Sequence, residues 1–115
     1  MARPKKDSTE YYVSKIKKII EGKKGYDVVT LDMKGFSFTD YFVIASGETE
    51  RQLNAIADEI IIKLDEDGKT HHHREGKPDS KWILLDFGDI VIHLFEEKVR
   101  KYFNLERLWY EAVKE

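Results

Sequence analysis

The amino-acid sequence predicts one α/β domain of the α+β type, with a mixed sheet of about five strands flanked by helices. Three observations lead to this prediction. The length of 115 residues suits a single hydrophobic core. Two segments carry apolar residues at helical spacing, four short β-branched or apolar runs lie between and after them, and residues 69–74 can form a fifth strand. Residues 1–115 therefore form one domain, in which we expect residues 1–8 to be a flexible tail.

The first helix is predicted to begin near Asp7, because Asp7 and Glu10 favour a helix start. Gly22 or Gly25 can end it. Its apolar face consists of Tyr12, Ile16, Ile19 and Ile20. Residues 26–32 and 39–46 then have the composition of strands, and Gly35 in the short link between them indicates an antiparallel pair.

The second helix has the clearest signal in the sequence. Thr49 and Gln52 form a capping box, and Gly68 follows the last apolar residue. Apolar residues at helical spacing form one stripe along this helix: Leu53, Ile56, Ala57, Ile60, Ile61 and Leu64. Because residues 69–74 can form another strand, we expect a β-α-β crossover with a right-handed connection.

Residues 81–87 and 90–95 are two strands separated by Gly88 and Asp89, which predicts a hairpin. This turn pairs Phe87 with Ile90 and places six apolar residues on one face: Ile83, Leu85, Phe87, Ile90, Ile92 and Leu94. The opposite face pairs Trp82 with Phe95, Leu84 with His93, and Asp86 with Val91. The first face suits the stripes of the two helices.

The mixed second face is typical of a recognition patch, in which large rings anchor a partner and polar groups form the rim. The alternative is that the C-terminal segment covers it. Residues 96–103 have helical spacing, and Asn104 can cap a second short helix. Residues 102–110 are rich in aromatic side chains, which indicates either an extension of the patch or packing of the chain end.

Charge is distributed unevenly along the chain. Residues 1–24 contain eight basic and three acidic side chains, a net charge of +5, so the net charge of −2 leaves −7 for the remainder. The basic first helix suggests either a secondary contact with RNA phosphates or an ordinary solvated face. With no cysteine, no secretory signal and no apolar run of membrane-spanning length, we expect a cytoplasmic protein.

Five ungapped blocks of the sequence form a distinctive series: TDYFVIASG at residues 39–47, AIADE at 55–59, REG at 74–76, WILLDFGDIVIH at 82–93 and YFNLERLW at 102–109. Together they resemble the ribosomal silencing factor family, also called the Iojap family. The resemblance covers residues 10–110 in order. Two departures are Phe103, where tyrosine is common in the family, and the histidines at 71–73.

The resemblance implies a nucleotidyltransferase-like fold and a factor that is often a homodimer when free. It also implies binding to a ribosomal protein on the intersubunit face of the large ribosomal subunit, which blocks small-subunit joining and represses translation. Organellar relatives are linked to large-subunit assembly, which is the alternative role. The partner-binding residues carried over from the family are Trp82, Leu84, Asp86, His93, Tyr102, Asn104, Leu105, Glu106 and Arg107.

An enzyme is the main rival interpretation, since nucleotidyltransferases hold metal ions with strand carboxylates. Asp40, Asp86 and Asp89 are the candidates, but the chain has no Gly-Ser turn followed by an Asp-x-Asp pair at a strand end. On a strand only His71 and His73 would share a face, too few ligands for a metal site without cysteine. We therefore expect no catalytic activity, no metal and no cofactor.

Overall fold

The computed structural model describes residues 8–35, 37, 39–70, 73–108 and 113–114. Within these residues the elements are α1 (Thr9–Gly22), β1 (Tyr26–Asp32), β2 (Tyr41–Gly47), α2 (Glu50–Glu66), β3 (His73–Glu75), β4 (Trp82–Asp86), β5 (Ile90–Glu96), α3 (Glu97–Phe103), α4 (Leu105–Leu108) and β6 (Val113–Lys114). The predicted mixed sheet flanked by helices is confirmed. None of the helices in this part of the chain combines the length and apolar character that crossing a bilayer requires.

The strands form one sheet in the order β3-β4-β5-β2-β1-β6. β5 pairs in parallel with β2 and antiparallel with β4, so the last long strand of the chain lies in the middle of the sheet. The predicted β-α-β connection is present: α2 connects β2 to β3, which runs parallel to β2 because two antiparallel pairings separate β3 from β5, and β5 is parallel to β2. The right-handed sense of this connection stays a prediction. β3 is shorter than predicted and begins at His73.

The hairpin of β4 and β5 has the predicted register. Trp82 lies opposite Phe95, Leu84 opposite His93, and Phe87 N–H donates to the Ile90 carbonyl at 2.9 Å. The six apolar residues of the first face are all buried. They pack against both helical stripes in the main core, which includes Ile16 and Ile20 of α1 and Leu53, Ile56, Ile60 and Leu64 of α2.

Side-chain caps fix where the two long helices begin. Ser8, rather than Asp7, is the N-cap of α1, because its hydroxyl accepts from Tyr11 N–H at 3.1 Å. The expected flexible tail therefore does not include Ser8, and residues 1–7 lie outside the described residues. For α2 the predicted cap is confirmed, since Thr49 accepts from Gln52 N–H at 3.1 Å. The Gln52 amide accepts in return from Glu48 N–H at 2.7 Å, one residue earlier than a capping box requires.

Candidate partner-binding surface

The second face of the hairpin is buried on β5 and partly exposed on β4. On β5, Phe95 is 0% exposed and His93 is 4% exposed. On β4, Trp82, Leu84 and Asp86 remain half-buried. The predicted exposed face is therefore wrong for β5 and holds only in part for β4.

A second core cluster covers the β5 half of this face. It consists of Leu31, Met33, Ile44 and Phe95, with Val29, Phe42, Trp82, Val99 and Leu105 packed against it. Val99 and Leu105 belong to α3 and α4, so the C-terminal segment does fold over β5, as the alternative interpretation stated. This packing determines where the rings that follow Val99 can lie.

Three aromatic side chains remain accessible where β4 meets α3, and we call them the aromatic patch: Trp82, Tyr102 and Phe103. Tyr102 is 82% exposed and Phe103 is 52% exposed. The Phe103 ring centroid lies 5.1 Å from that of Trp82 and 5.2 Å from that of Tyr102. Trp82 in turn stacks on buried Phe95 at 4.8 Å. The patch is therefore a continuous series of rings anchored in the core, which suits an interaction hot spot.

A groove of about 360 Å³ adjoins the patch at the β3 side of the sheet. Its walls are His73, Glu75, Gly76, Trp82 and Leu84. Gly76 has φ of +117°, and a β-carbon there would lie 3.1 Å from the Trp82 carbonyl oxygen. Only glycine fits this backbone position without strain. The indole of Trp82 and the side chain of Leu84 form the apolar part of its wall.

His93 orients the indole of Trp82. The indole Nε1–H donates to His93 Nδ1 at 3.2 Å, so the imidazole is neutral and carries its proton on Nε2. Burial among the rings of Trp82, Phe42 and Phe95 lowers the pKa of His93 to about 4, because the charged imidazolium would lack hydration there. Within the described residues, His93 Nε2 has no hydrogen-bond partner.

Arg100 is a buried charge that the sequence interpretation missed. The residue, on α3, is only 9% exposed. The guanidinium donates to both Glu106 carboxylate oxygens, at 3.0 and 3.2 Å, and to Ser46 Oγ at 2.8 Å. It also donates to the Asp27 carbonyl at 2.6 Å. Asp27 has φ of +52° and lies where the β1–β2 register shifts, so a local irregularity of β1 brings this carbonyl to Arg100.

The nine residues carried over from the family do not form one continuous surface. The indole of Trp82 joins Tyr102 through Phe103. Asp86 lies four residues along β4 from Trp82, about 13 Å away at the usual rise per residue, and its carboxylate accepts from Gly88 N–H at 2.8 Å. His93 is buried and accepts a hydrogen bond from the indole of Trp82, so it lies beneath that side chain rather than on the surface.

The carried-over residues in α4 and the turn before it also differ in their exposure. Asn104 and Arg107 are exposed and Leu105 is half-buried. The resemblance places Glu106 among the partner-binding residues, but both of its carboxylate oxygens accept hydrogen bonds from Arg100. Its first role is therefore to hold α4 against α3, which a local sequence pattern does not reveal because the two residues meet across the left-handed turn at Asn104.

Comparison with known proteins identifies the family. A family model described as "Ribosomal silencing factor during starvation" matches residues 5–115. The chain belongs to this family. A relative from Bacillus subtilis named ribosomal silencing factor RsfS is 42% identical over 93 residues, 80% of this chain and 79% of that protein.

The solved structures agree with this family assignment. The match with a crystal structure of a Chromobacterium violaceum protein has a TM-score of 0.84 and 32% identity, and it covers 89% of this chain and 86% of that one.

A more distant relative from Mus musculus is named mitochondrial assembly of ribosomal large subunit protein 1. It is 38% identical over 76 residues, 63% of this chain and 33% of that protein. The nucleotidyltransferase-like description of the fold is compatible with these matches and stays a prediction.

Two of the three carboxylates considered for catalysis, those of Asp86 and Asp89, have structural partners within the described residues of this silencing factor family member. Lys69 Nζ lies 2.9 Å from the Asp89 carboxylate, which also accepts from Thr9 Oγ1 at 2.8 Å. The backbone N–H of Asp40 donates to the Asp89 carbonyl at 2.9 Å. These contacts tie the hairpin turn to α1, β2 and the end of α2.

The histidine run lies partly outside the described residues, at 71 and 72. His73 is exposed and contacts the Glu75 carboxylate at 2.9 Å. Among the residues that the structure describes, no three side chains of the types that bind metal ions come together. The relatives are named as silencing or assembly factors rather than enzymes.

Proposed function

We propose that the protein binds the large ribosomal subunit through a ribosomal protein on its intersubunit face and thereby prevents the small subunit from joining, which represses translation. Family membership supports the ribosomal target, because relatives are named ribosomal silencing factors. The observation that carries the proposal within this chain is the aromatic patch, where Tyr102 and Phe103 expose large rings beside half-buried Trp82. Binding of a partner that removes such rings from water lowers the free energy of the complex.

Steric exclusion is a sufficient mechanism for blocking. The domain measures 37 × 34 × 26 Å, so even its shortest dimension would separate two surfaces that must touch directly. No reaction and no bound cofactor is needed. The net charge of −7 on residues 25–115 favours encounter with a basic ribosomal protein, and salt should weaken this encounter more than the docked complex.

The test combines sedimentation with isolated subunits and a subunit-joining assay. The wild-type protein should sediment with large subunits alone and should reduce the yield of joined ribosomes. Tyr102→Ala and Phe103→Ala should each weaken large-subunit binding by about 30-fold, the equivalent of losing a hot-spot side chain worth about 2 kcal/mol. Both side chains are exposed, so these variants should remain folded.

Ile62→Ala is the matched control, because Ile62 is an apolar side chain of α2 that is 52% exposed, like Phe103, but lies outside the patch. It should bind as the wild-type protein does. Unchanged binding by both patch variants would contradict the proposed surface. Binding to large subunits without any loss of joining would contradict the blocking mechanism.

Large-subunit assembly is the second candidate function. The name of the mouse relative favours it. An assembly factor should bind incomplete large-subunit particles more tightly than mature ones, and its depletion should cause such particles to accumulate. A blocking factor should instead inhibit the joining of purified mature subunits. Measuring affinity for both kinds of particle separates the two functions.

A secondary contact with ribosomal RNA is a further part of this proposal. Lys17, Lys18, Lys23 and Lys24 are exposed, whereas Lys15 is bound to Asp67, the C-cap of α2. This hydrogen bond raises the pKa of Lys15 and occupies its charge. Replacing the four exposed lysines by glutamine should lower the salt dependence of large-subunit binding, since fewer phosphate counterions are then released.

We also propose that the protein acts in the cytoplasm and forms a homodimer when it is free, as the family resemblance implies. Sedimentation equilibrium of the free protein measures the dimer directly. If the dimer buries the aromatic patch, Tyr102→Ala should shift it toward monomer. A dimer that Tyr102→Ala leaves unchanged would place its interface elsewhere.

A further inference from the structure

We propose that Arg100 is a positioning residue for partner binding, which holds α4 and the aromatic patch in one fixed arrangement without touching the partner itself. This inference rests on the proposed function above. Its starting point is that α4 has only four residues, too few for a helix to be stable without external contacts. Something outside α4 must therefore hold it in place.

Two contacts of described side chains attach α4 to the rest of the domain. Leu105 packs against the second core cluster, and Glu106 is held by two hydrogen bonds from Arg100. An apolar contact alone restricts direction weakly, whereas a two-bond guanidinium–carboxylate pair fixes both distance and angle. Arg100 thus determines the orientation of α4 relative to α3.

The position of Arg100 is itself fixed by the sheet. Its Nη1 donates to the Asp27 carbonyl of β1 and to Ser46 Oγ of β2, at 2.6 and 2.8 Å. The guanidinium therefore connects β1, β2 and α4 through one side chain on α3. A lysine could keep the charge but could not reproduce this set, because its ammonium is a single point without the planar fork.

The patch residues depend on this connection. Tyr102 and Phe103 form the end of α3, and Asn104 then adopts a left-handed conformation, with φ of 45° and ψ of 53°, that turns the chain into α4. If Glu106 were released, the turn at Asn104 would no longer be held from its C-terminal side. The exposed side chains on both sides of that turn, Tyr102 and Arg107, would then vary in their relative positions.

The experiment compares Arg100→Lys with the wild-type protein in two measurements. Amide hydrogen exchange of the free protein should show faster exchange at residues 104–107 in the variant, with β2 and β5 unchanged. At a temperature where the variant is folded, its affinity for purified large subunits should fall about 10-fold, mainly through faster dissociation. The salt dependence of binding should stay as in the wild-type protein, because no charge that meets the partner has changed.

Lys101→Gln is the matched control for exchange, since it alters a neighbouring exposed residue of α3 and should leave residues 104–107 as they are. Arg107→Gln should lower the salt dependence if Arg107 meets the partner. Unchanged exchange in Arg100→Lys would overturn the inference, and so would faster exchange with unchanged affinity. A wild-type protein that binds neither subunit would instead overturn the proposed function, and the exchange rates would still decide whether Arg100 orders α4.

Discussion

Acid should destabilise this protein through one buried histidine. The unfolded chain protonates His93 near pH 6.5, whereas burial lowers the pKa of the folded protein's His93 to about 4. Between these two pH values the unfolded chain binds a proton at His93 and the folded protein does not. The free energy of unfolding is therefore unaffected by titration of His93 above about pH 6.5 and decreases as the pH falls from 6.5 toward 4. At 1.36 kcal/mol for each pKa unit, the full loss is about 3 kcal/mol.

A partial loss is easier to measure, before the carboxylates begin to titrate. From about pH 7.5 to about pH 5, the His93 term should lower the free energy of unfolding by about 2 kcal/mol. Urea denaturation followed by circular dichroism measures this change. His93→Asn should remove most of the difference between the two pH values, because asparagine carries no titrating group and its amide oxygen can still accept from Trp82 Nε1–H.

His73→Asn is the control for this prediction. His73 is exposed, so this variant should keep the full loss of stability on acidification. If His93→Asn and the wild-type protein lost equal free energy between the two pH values, burial of a neutral His93 could not be the cause of the loss.

Three further stability predictions follow from packing, each measurable by urea denaturation. Ile60→Ala should cost about 2–5 kcal/mol, since Ile60 is 0% exposed, whereas Ile62→Ala on the exposed side of α2 should stay within about 0.5 kcal/mol; equal losses would contradict the assigned face. Gly25→Ala should cost about 1–3 kcal/mol, because its β-carbon would lie 2.5 Å from Ile20 Cγ2 and 3.0 Å from the Ile20 carbonyl oxygen. Gly22→Ala, with open space around its β-carbon, should instead be neutral or stabilising by up to about 1 kcal/mol, and a large loss there would refute the contrast. Thr49→Ala should cost about 1 kcal/mol through loss of the α2 cap, and no change would mean that Gln52 N–H finds another acceptor.

The elements whose signals are local could be predicted from the sequence. The hairpin register follows from one short turn at Gly88 and Asp89, which fixes every later pair. The stripe of α2 likewise predicts its buried face, because helical period and burial agree. In both cases residues close in the chain determine the outcome.

The candidate surface was harder to predict because its details depend on residues far apart in the chain. Periodicity placed His93 and Phe95 on the second face but could not show that Met33 and Val99 would help to cover it. In the same way, nothing in the sequence around Glu106 indicates that its carboxylate is paired within the protein. It becomes an internal partner only because the fold brings β1, β2 and α3 together at Arg100.

The central place of β5 has a consequence for how the chain acquires its structure during synthesis. Residues 41–47 find their parallel partner only in residues 90–96, which leave the ribosome after both long helices have been made. Until then β2 has an unpaired edge, and α1 and α2 have no complete sheet to cover. Pairing between such distant segments slows folding because a long loop must close first. Chains truncated before residue 90 should therefore lack a cooperative unfolding transition, although they contain both long helices and β1–β4.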